Sequence, residues 1–326
     1  MEILQSGRGD FYFQDPDAVR EQRANKERGL TNKLMTEQQA VSRFVADGDY
    51  IGCDLTYFIR GPNALIHEII RQRRKHLWFC AKYCYAESVL LLGGDCVSRI
   101  DVGFVAVGER VLTEAMQDGR VTLTEWTNDS LTLRLLGGAM GVPFLPTRTL
   151  LGTDTLTYSG AKVIEDPFSG KPICLVPALN PDVGLIHAHQ ADMHGNARVL
   201  GASTAPLEQA MASKKVIVQT EEVIEPEEIR RHPSKTTIPY YVVDAVVHVP
   251  FGAYPGTCPG LYVADTPGLT EAIQALDSRE ERHRYLETDV YSVESFAEML
   301  ERRVGVKRIL ELKARERYRE GYDDAR

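Results

Sequence analysis

From Leu34 onward the chain alternates two kinds of apolar pattern. "TEQQAVSRFV" (36–45) repeats its apolar positions at helical spacing behind Thr36, a hydroxyl suited to an N-cap, and "DGD" (47–49) closes it. The short run "YIGC" that follows predicts a strand. "NALIHEIIRQRR" (63–74) reads as a helix, and "HLWFCAKY" (76–83) and "RIDVGFVAV" (99–107) as strands. "GERVLTEAMQDG" (108–119) is a helix ending in glycine, and "DSLTLRLLGGAMG" (129–141) a helix whose glycine pair lets a neighbour approach closely. "VGLIHAHQA" (183–191), "KVIVQTEEV" (215–223) and "VDAVVHVP" (243–250) are further β-rich stretches. Strand–helix–strand repetition over more than 200 residues predicts βαβ crossovers: an α/β fold with a mostly parallel open sheet and helices on both faces.

In such sheets ligands sit outside the carboxyl ends of the strands. The loops to watch are therefore "CDLTYFIRGP", "YCYAES", "HQADMHGN" and "PFGAYPG". Residues 1–33 are polar and read as an N-terminal extension or docking arm; the "RGD" at 8–10 is expected to be incidental. The main domain is expected over 34–312, with a last helix from about Ser292 and a charged tail over 313–326.

Composition narrows the setting. The 326 residues carry 38 basic and 46 acidic side chains, a formal net charge of −8, which argues against nucleic acid or an anionic membrane as the main partner. The six cysteines (Cys53, Cys80, Cys84, Cys96, Cys174, Cys258) include no C-x-x-C pair and read as reduced thiols. No apolar run approaches the roughly 18 to 20 residues of a membrane span, and the amino terminus lacks a signal-peptide core. A cytoplasmic location is expected.

Candidate chemistry is sparse. In "IHAHQADMHGN" (186–196), His187 and His189 share one strand face, as metal-binding imidazoles would. His194, however, lies past a turn, and histidines in a packed strand are more simply hydrogen-bonded core residues. No metal is expected, and Asp192 or Asn196 should tie the turn to itself. Glu221 and Glu222, being adjacent on a strand, should point to opposite faces and so cannot form a carboxylate dyad. Glu227, Glu228, Arg230 and Arg231 read as a short charged helix before Pro233. Gly61-Pro62 opens a helix whose amino end is a potential anion site, to which Arg60 could add a bidentate contact; taken alone, Arg60 reads as a surface arginine. No dinucleotide fingerprint, P-loop or nucleophile elbow occurs. These residues alone define an α/β protein with a small-molecule site.

Five stretches go further when taken together. "LMTEQQAVSRFVADGDYI", "MGVPFLPTR", "DVGLIHAHQADMHGNARV", "VIVQTEEVIEPEEIRRHPSKTTIP" and "VVDAVVHVPFGAYPGTCPGLY", in this order from about 34 to 265, resemble the α subunits of family I coenzyme A transferases, in particular the glutaconate type. The stretch 266–312 matches loosely, and 1–33 lies outside. The resemblance implies a Rossmann-like sheet, a partner that is a homologous β subunit (in a heterotetramer or larger) and an active site between the two. It implies no bound cofactor, with coenzyme A as a substrate. It also implies ping-pong transfer through a glutamyl anhydride and an enzyme–CoA thioester. In two-chain members the attacking glutamate belongs to the β chain, in a Glu-Asn-Gly-like motif that is absent here, so no catalytic residue is expected on this chain.

Carried over residue by residue, Arg60 falls on the arginine before the family's proline, here Pro62, where it would meet the acyl or carboxylate end of a substrate. Asn128 falls where the glutaconate type has an amide and the related ring-opening hydrolases a glutamate. Gln190 matches a glutamine of an "HAQQA"-like stretch at the pocket edge. His189 stands where the glutaconate type, which uses no metal, has glutamine; His187 and Asp192 then become hydrogen-bonding struts. Two loops depart from the pattern: Asp54-Leu55-Thr56 replaces Gly-Gly-Phe, and "AKYCYAES" replaces a glycine-rich loop. Thr56, Tyr57, Tyr83, Cys84 and Tyr85 would give a reshaped, more aromatic pocket. Cys84 is a nucleophile candidate beside the commoner role of a packed thiol. An acyl-CoA hydrolase or decarboxylase on the same scaffold is the alternative; a ligand-sensing domain without catalysis is a second.

Overall fold

A computed structural model describes residues 2–54, 58–82, 86–105, 108–201 and 204–317. The strands run in chain order as β1 (Ile3–Ser6), β2 (Tyr50–Asp54), β3 (Leu77–Ala81), β4 (Val97–Val102), β5 (Thr122–Glu125) and β6 (Phe144–Thr147). They continue as β7 (Lys162–Glu165), β8 (Pro172–Pro177), β9 (Val183–Ala191), β10 (Ala197–Arg198), β11 (Lys215–Val223) and β12 (Ala245–His248).

The unbroken apolar runs assemble as their composition requires. β12, β11, β9, β2, β3, β4 and β5 lie side by side in that order, every neighbour parallel, with β10 antiparallel on β9. Such a sheet must be covered twice, because alternate side chains point to opposite faces and both sets are apolar. On one face Ile51, Phe79, Ile100 and Leu185 pack with Leu65, Ile66, Leu90 and Leu91. On the other, Tyr50 and Trp78 pack with Leu131 and Leu135 of the helix Asn128–Met140, while Ile186, Val216 and Val218 pack with Ala210 of the helix Pro206–Ala212.

Strand order creates one crevice. From β2 the chain winds outward through β3, β4 and β5, whereas from β9 it winds the other way through β11 and β12; β2 and β9 are hydrogen-bonded neighbours. Opposite winding from two neighbouring strands makes a topological switch point at their carboxyl ends.

A second sheet was not expected. β1, β7, β8 and β6 form a four-stranded antiparallel sheet. The segment 1–33, expected as a polar extension, supplies β1 and the helix Pro16–Ala24. The "RGD" backbone is docked, Arg8 N–H donating to Thr157 O at 2.8 Å and Gly9 N–H to Ser159 O at 2.9 Å. At the other end, the helix Gly305–Arg317 runs across the boundary expected at 313. No helix among the described residues is long and apolar enough to cross a membrane.

One buried ion pair joins the two sheets. Asp101 on β4 accepts Arg134 Nη1 at 2.8 Å, Tyr50 Oη–H at 2.7 Å and Trp78 Nε1–H at 3.1 Å. The Arg134 guanidinium also donates to Pro177 O at 3.0 Å, at the end of β8, and to Tyr12 O at 3.1 Å. Both side chains are fully buried, so neither charge has water to fall back on. Asp101→Ala should therefore cost about 3–5 kcal/mol, far more than loss of a surface pair. A fall in the urea midpoint with unchanged m-value would show it; an unchanged midpoint would contradict it.

Candidate active site

Asp54, the last residue of β2, organises the crevice. Its Oδ1 accepts the Thr204 hydroxyl at 2.8 Å and Ala205 N–H at 3.3 Å, at the start of the helix Pro206–Ala212, while Oδ2 accepts Arg60 Nη1 at 3.2 Å. The same Nη1 donates to His187 O on β9 at 3.2 Å, so Arg60 bridges the two strands of the switch point. Arg60, which reads as a surface residue when taken alone, is completely buried, in a left-handed conformation with φ of 56°. Its Nε and Nη2 meet no acceptor among the described residues.

The anion site expected at the amino end of the helix Asn63–Arg71 is closed. Ala64 N–H donates to Gly252 O at 3.3 Å and Leu65 N–H to the Gln219 side-chain oxygen at 3.2 Å. Asn63 Nδ2 donates to Ala253 O and Tyr254 O at 3.1 and 3.0 Å. The loop after β12 lies across the helix start and takes up the donors that an anion would use.

Lys82, immediately after β3, is 4% exposed, and its Nζ also lacks an acceptor among the described residues. Burial pushes its amine below the ordinary lysine range, and Asp54 pulls it partly back. Asn128, the first residue of the helix Asn128–Met140, stands close by with a buried Oδ1 that meets no donor among the described residues. A Cβ at Gly103 would come within 2.3 Å of that oxygen and 2.9 Å of Lys82 O, so only glycine fits between them. Of the other pocket residues expected from the sequence, Thr56, Tyr83 and Cys84 lie outside the described residues.

The histidine stretch forms the other half of the edge. Gln219 offers its oxygen to Leu65 N–H, so its Nε2 must donate to His187 Nδ1, at 2.6 Å. His187 is thereby fixed with its proton on Nε2, which it donates to Glu221 Oε1 at 2.9 Å. Glu221 also accepts Tyr262 Oη–H at 2.5 Å and Phe251 N–H at 2.7 Å. Sequence reasoning assigned Glu221 no such centre, because its partners are 30 to 41 positions distant. The expected alternation holds: Glu221 turns inward, while Glu222 faces Gln190, whose Nε2 donates to it at 2.7 Å. A cavity of about 320 Å³ nevertheless wraps round the strand end and touches both carboxylates, with His189, Gln190, Phe251 and Tyr262.

His187, Glu221 and Cys258 offer ligand atoms within 4.8 Å of one another. They do not fit a metal. The Gln219 amide holds the proton on the very nitrogen that would have to ligate, Glu221 is committed to three donors, and burial pushes the Cys258 thiol far up, away from thiolate. His194 is elsewhere, its Nδ1 3.0 Å from Thr31 O. Asp192 ties its own turn as expected, Oδ1 accepting His194 N–H and Asn196 N–H, both at 2.9 Å, and Oδ2 accepting Asn196 Nδ2 at 2.7 Å.

His189 is a neutral strut, accepting Leu200 N–H at Nδ1 (3.1 Å) and donating from Nε2 to Pro259 O (2.9 Å). Burial lowers its pKa from 6.5 to about 4, and that of His67 to about 3. With folded values below the unfolded one, the unfolded chain takes up protons first. The stabilisation is complete above pH 6.5 and is lost as pH falls toward 4, at up to about 1.4 kcal/mol per pH unit for each histidine. The urea midpoint should therefore drop between pH 7 and pH 5, and His189→Gln should flatten the drop. An equal drop in the variant would contradict the assignment.

The chain is similar to known proteins. A family model described as Coenzyme A transferase matches residues 34–249. The chain is 30% identical to one of the subunits of glutaconate CoA-transferase from Acidaminococcus fermentans over 305 residues, 86% of this chain and 95% of the relative. It superposes on the crystal structure of that transferase with a TM-score of 0.82 over the same shares. It is 33% identical to one of the subunits of 3-oxoadipate CoA-transferase from Pseudomonas knackmussii, over 72% of this chain and 84% of the relative. The decarboxylase AibA/AibB is similar at 27% identity and a TM-score of 0.67, over 78% of this chain and 98% of that one. Family model, sequence identity and superposition agree: the chain belongs to the coenzyme A transferase family.

Proposed function

We propose that this chain is the α subunit of a heteromeric cytoplasmic enzyme that moves CoA between an acyl-CoA and a small or medium carboxylic acid. Its partner is a homologous β chain, with which it forms a heterotetramer, and the active site lies at the switch point where the two meet. One observation carries the reading. Near the switch point two buried cations, Arg60 and Lys82, keep donors suited to a carboxylate that meet no acceptor among the described residues, yet Glu221, near the end of β11, is already held by three hydrogen bonds and cannot attack. The nucleophile is a glutamate of the β chain.

In that reaction the glutamate forms a C–O bond to the thioester carbonyl as the C–S bond breaks, giving an anhydride and CoA thiolate. The thiolate then attacks the glutamyl carbonyl, releasing the first acid and leaving CoA on the enzyme. An incoming carboxylate reverses both steps. Arg60, Thr56, Tyr83, Cys84, Asn128 and Gln190 line the acyl end of the pocket, and the chain binds no cofactor of its own.

A second reading is favoured by the likeness to a decarboxylase: the same scaffold, with a β chain lacking the glutamate, would decarboxylate or hydrolyse its acyl-CoA. Co-expression with a β chain separates the two. The purified complex should exchange labelled CoA between an acyl-CoA and a free acid, and the α chain alone should give no exchange. Release of CO2 or free CoA without exchange would favour the second reading, and failure to form a complex would sink both.

A further inference from the structure

Two buried cations at the switch point carry unspent hydrogen-bonding capacity. Arg60 is fully buried and uses only Nη1; Lys82 is 4% exposed, and its ammonium group meets no acceptor among the described residues. The nearby counter-charge is spoken for, because Asp54 accepts Arg60, the Thr204 hydroxyl and Ala205 N–H. β2 and β3 run in parallel register with Gly52 opposite Cys80; two residues further, that register sets Asp54 beside Lys82. Lys82 is nonetheless not within ion-pair distance of Asp54 or of any other carboxylate among the described residues. Asp54 is hydrogen-bonded to one of the two cations only; Arg60 and Lys82 are near enough to repel, and Glu208 acts on Lys82 without an ion-pair contact. A cation buried in this way is costly unless an anion completes it. Arginine and lysine together present both a planar fork and a point charge, a combination that suits the two oxygens of a carboxylate.

We infer that Arg60 and Lys82 form a two-cation site for the carboxylate of the free acid substrate, and that Lys82 is the residue setting affinity for that acid. The inference rests on the transferase reading above and adds to it the second cation, contributed by a loop in which the sequence drew attention only to aromatic and thiol groups.

The test uses the complex of this chain with its β chain, and compares wild type with Lys82→Met and Lys82→Arg. Lys82→Met should raise KM for the acceptor acid roughly ten- to hundredfold, the worth of a hydrogen bond to a charged group, with a much smaller change in kcat. Lys82→Arg should restore most of the loss. Because the ammonium has no internal partner among the described residues, Lys82→Met should leave the urea midpoint unchanged or higher. Acetate, compared with chloride at equal ionic strength, should raise the melting temperature of the wild-type complex and have less effect on Lys82→Met. An unchanged acid KM in an active Lys82→Met complex would overturn the inference. So would a lowered urea midpoint, or a variant chain that no longer binds its partner, which would assign the cation to an acidic side chain of the β chain. A wild-type complex that transfers CoA to no acid would refute the transferase reading instead, and the acetate comparison would still read the site.

Discussion

The carboxylate of Asp54 is the contact on which the carboxyl edge of this sheet depends. It closes β2, receives the N–H of Ala205 just ahead of the helix Pro206–Ala212, and holds the arginine nitrogen that reaches across to β9. Without it, Arg60 would be a buried charge with no counter-ion, and the loops leaving β2 and approaching that helix would lose their common anchor. The cost of burying Arg60 is thus offset locally, but only on one side of the guanidinium. On the other side, Nε and Nη2 meet no acceptor among the described residues, and the proposed ligand would supply one.

The two halves of the edge divide the work. On β9 and β11 the polar groups are matched: Gln219, His187, Glu221 and Tyr262 form a chain in which each proton has one place to be. Such a network is rigid because no member can turn without leaving another unsatisfied. Around β2 and β3 the matching is incomplete among the described residues, with donors on Arg60 and Lys82 left over. A stiff wall beside an unsatisfied one is what pre-organised binding requires: the ligand supplies the missing acceptors without having to order the site.

Six of the seven parallel strands were legible from their apolar runs, β9 being buried at eight of nine positions; β5, with Leu123 as its one apolar residue, was not. The antiparallel sheet was not. β6 and β7 have four residues each, β8 begins and ends in proline, and β1 is exposed throughout, so no period of two emerges above the noise of turns. At the site, Asp192 and its turn were readable since donor and acceptor are at most four residues apart. The burial of Arg60 was not, because it depends on Asp54 six residues before it and on a carbonyl 127 positions away. Lys82 carried no motif at all. Its meaning comes from lacking a partner, and that is visible only once the neighbours are in place.

The small sheet also dictates an order of events in the ribosome-bound chain. Ile3 pairs with Ile164, and the strand that completes the sheet, β8, ends only at Pro177. The residues of β1 therefore have no partner strand until synthesis has passed Lys162–Glu165. The residues of β2 to β5 are synthesised well before that point, so β1 joins its sheet late. The β1–β7 seam, at an edge of its sheet, should therefore be among the later parts of this half of the chain to gain protection from hydrogen exchange.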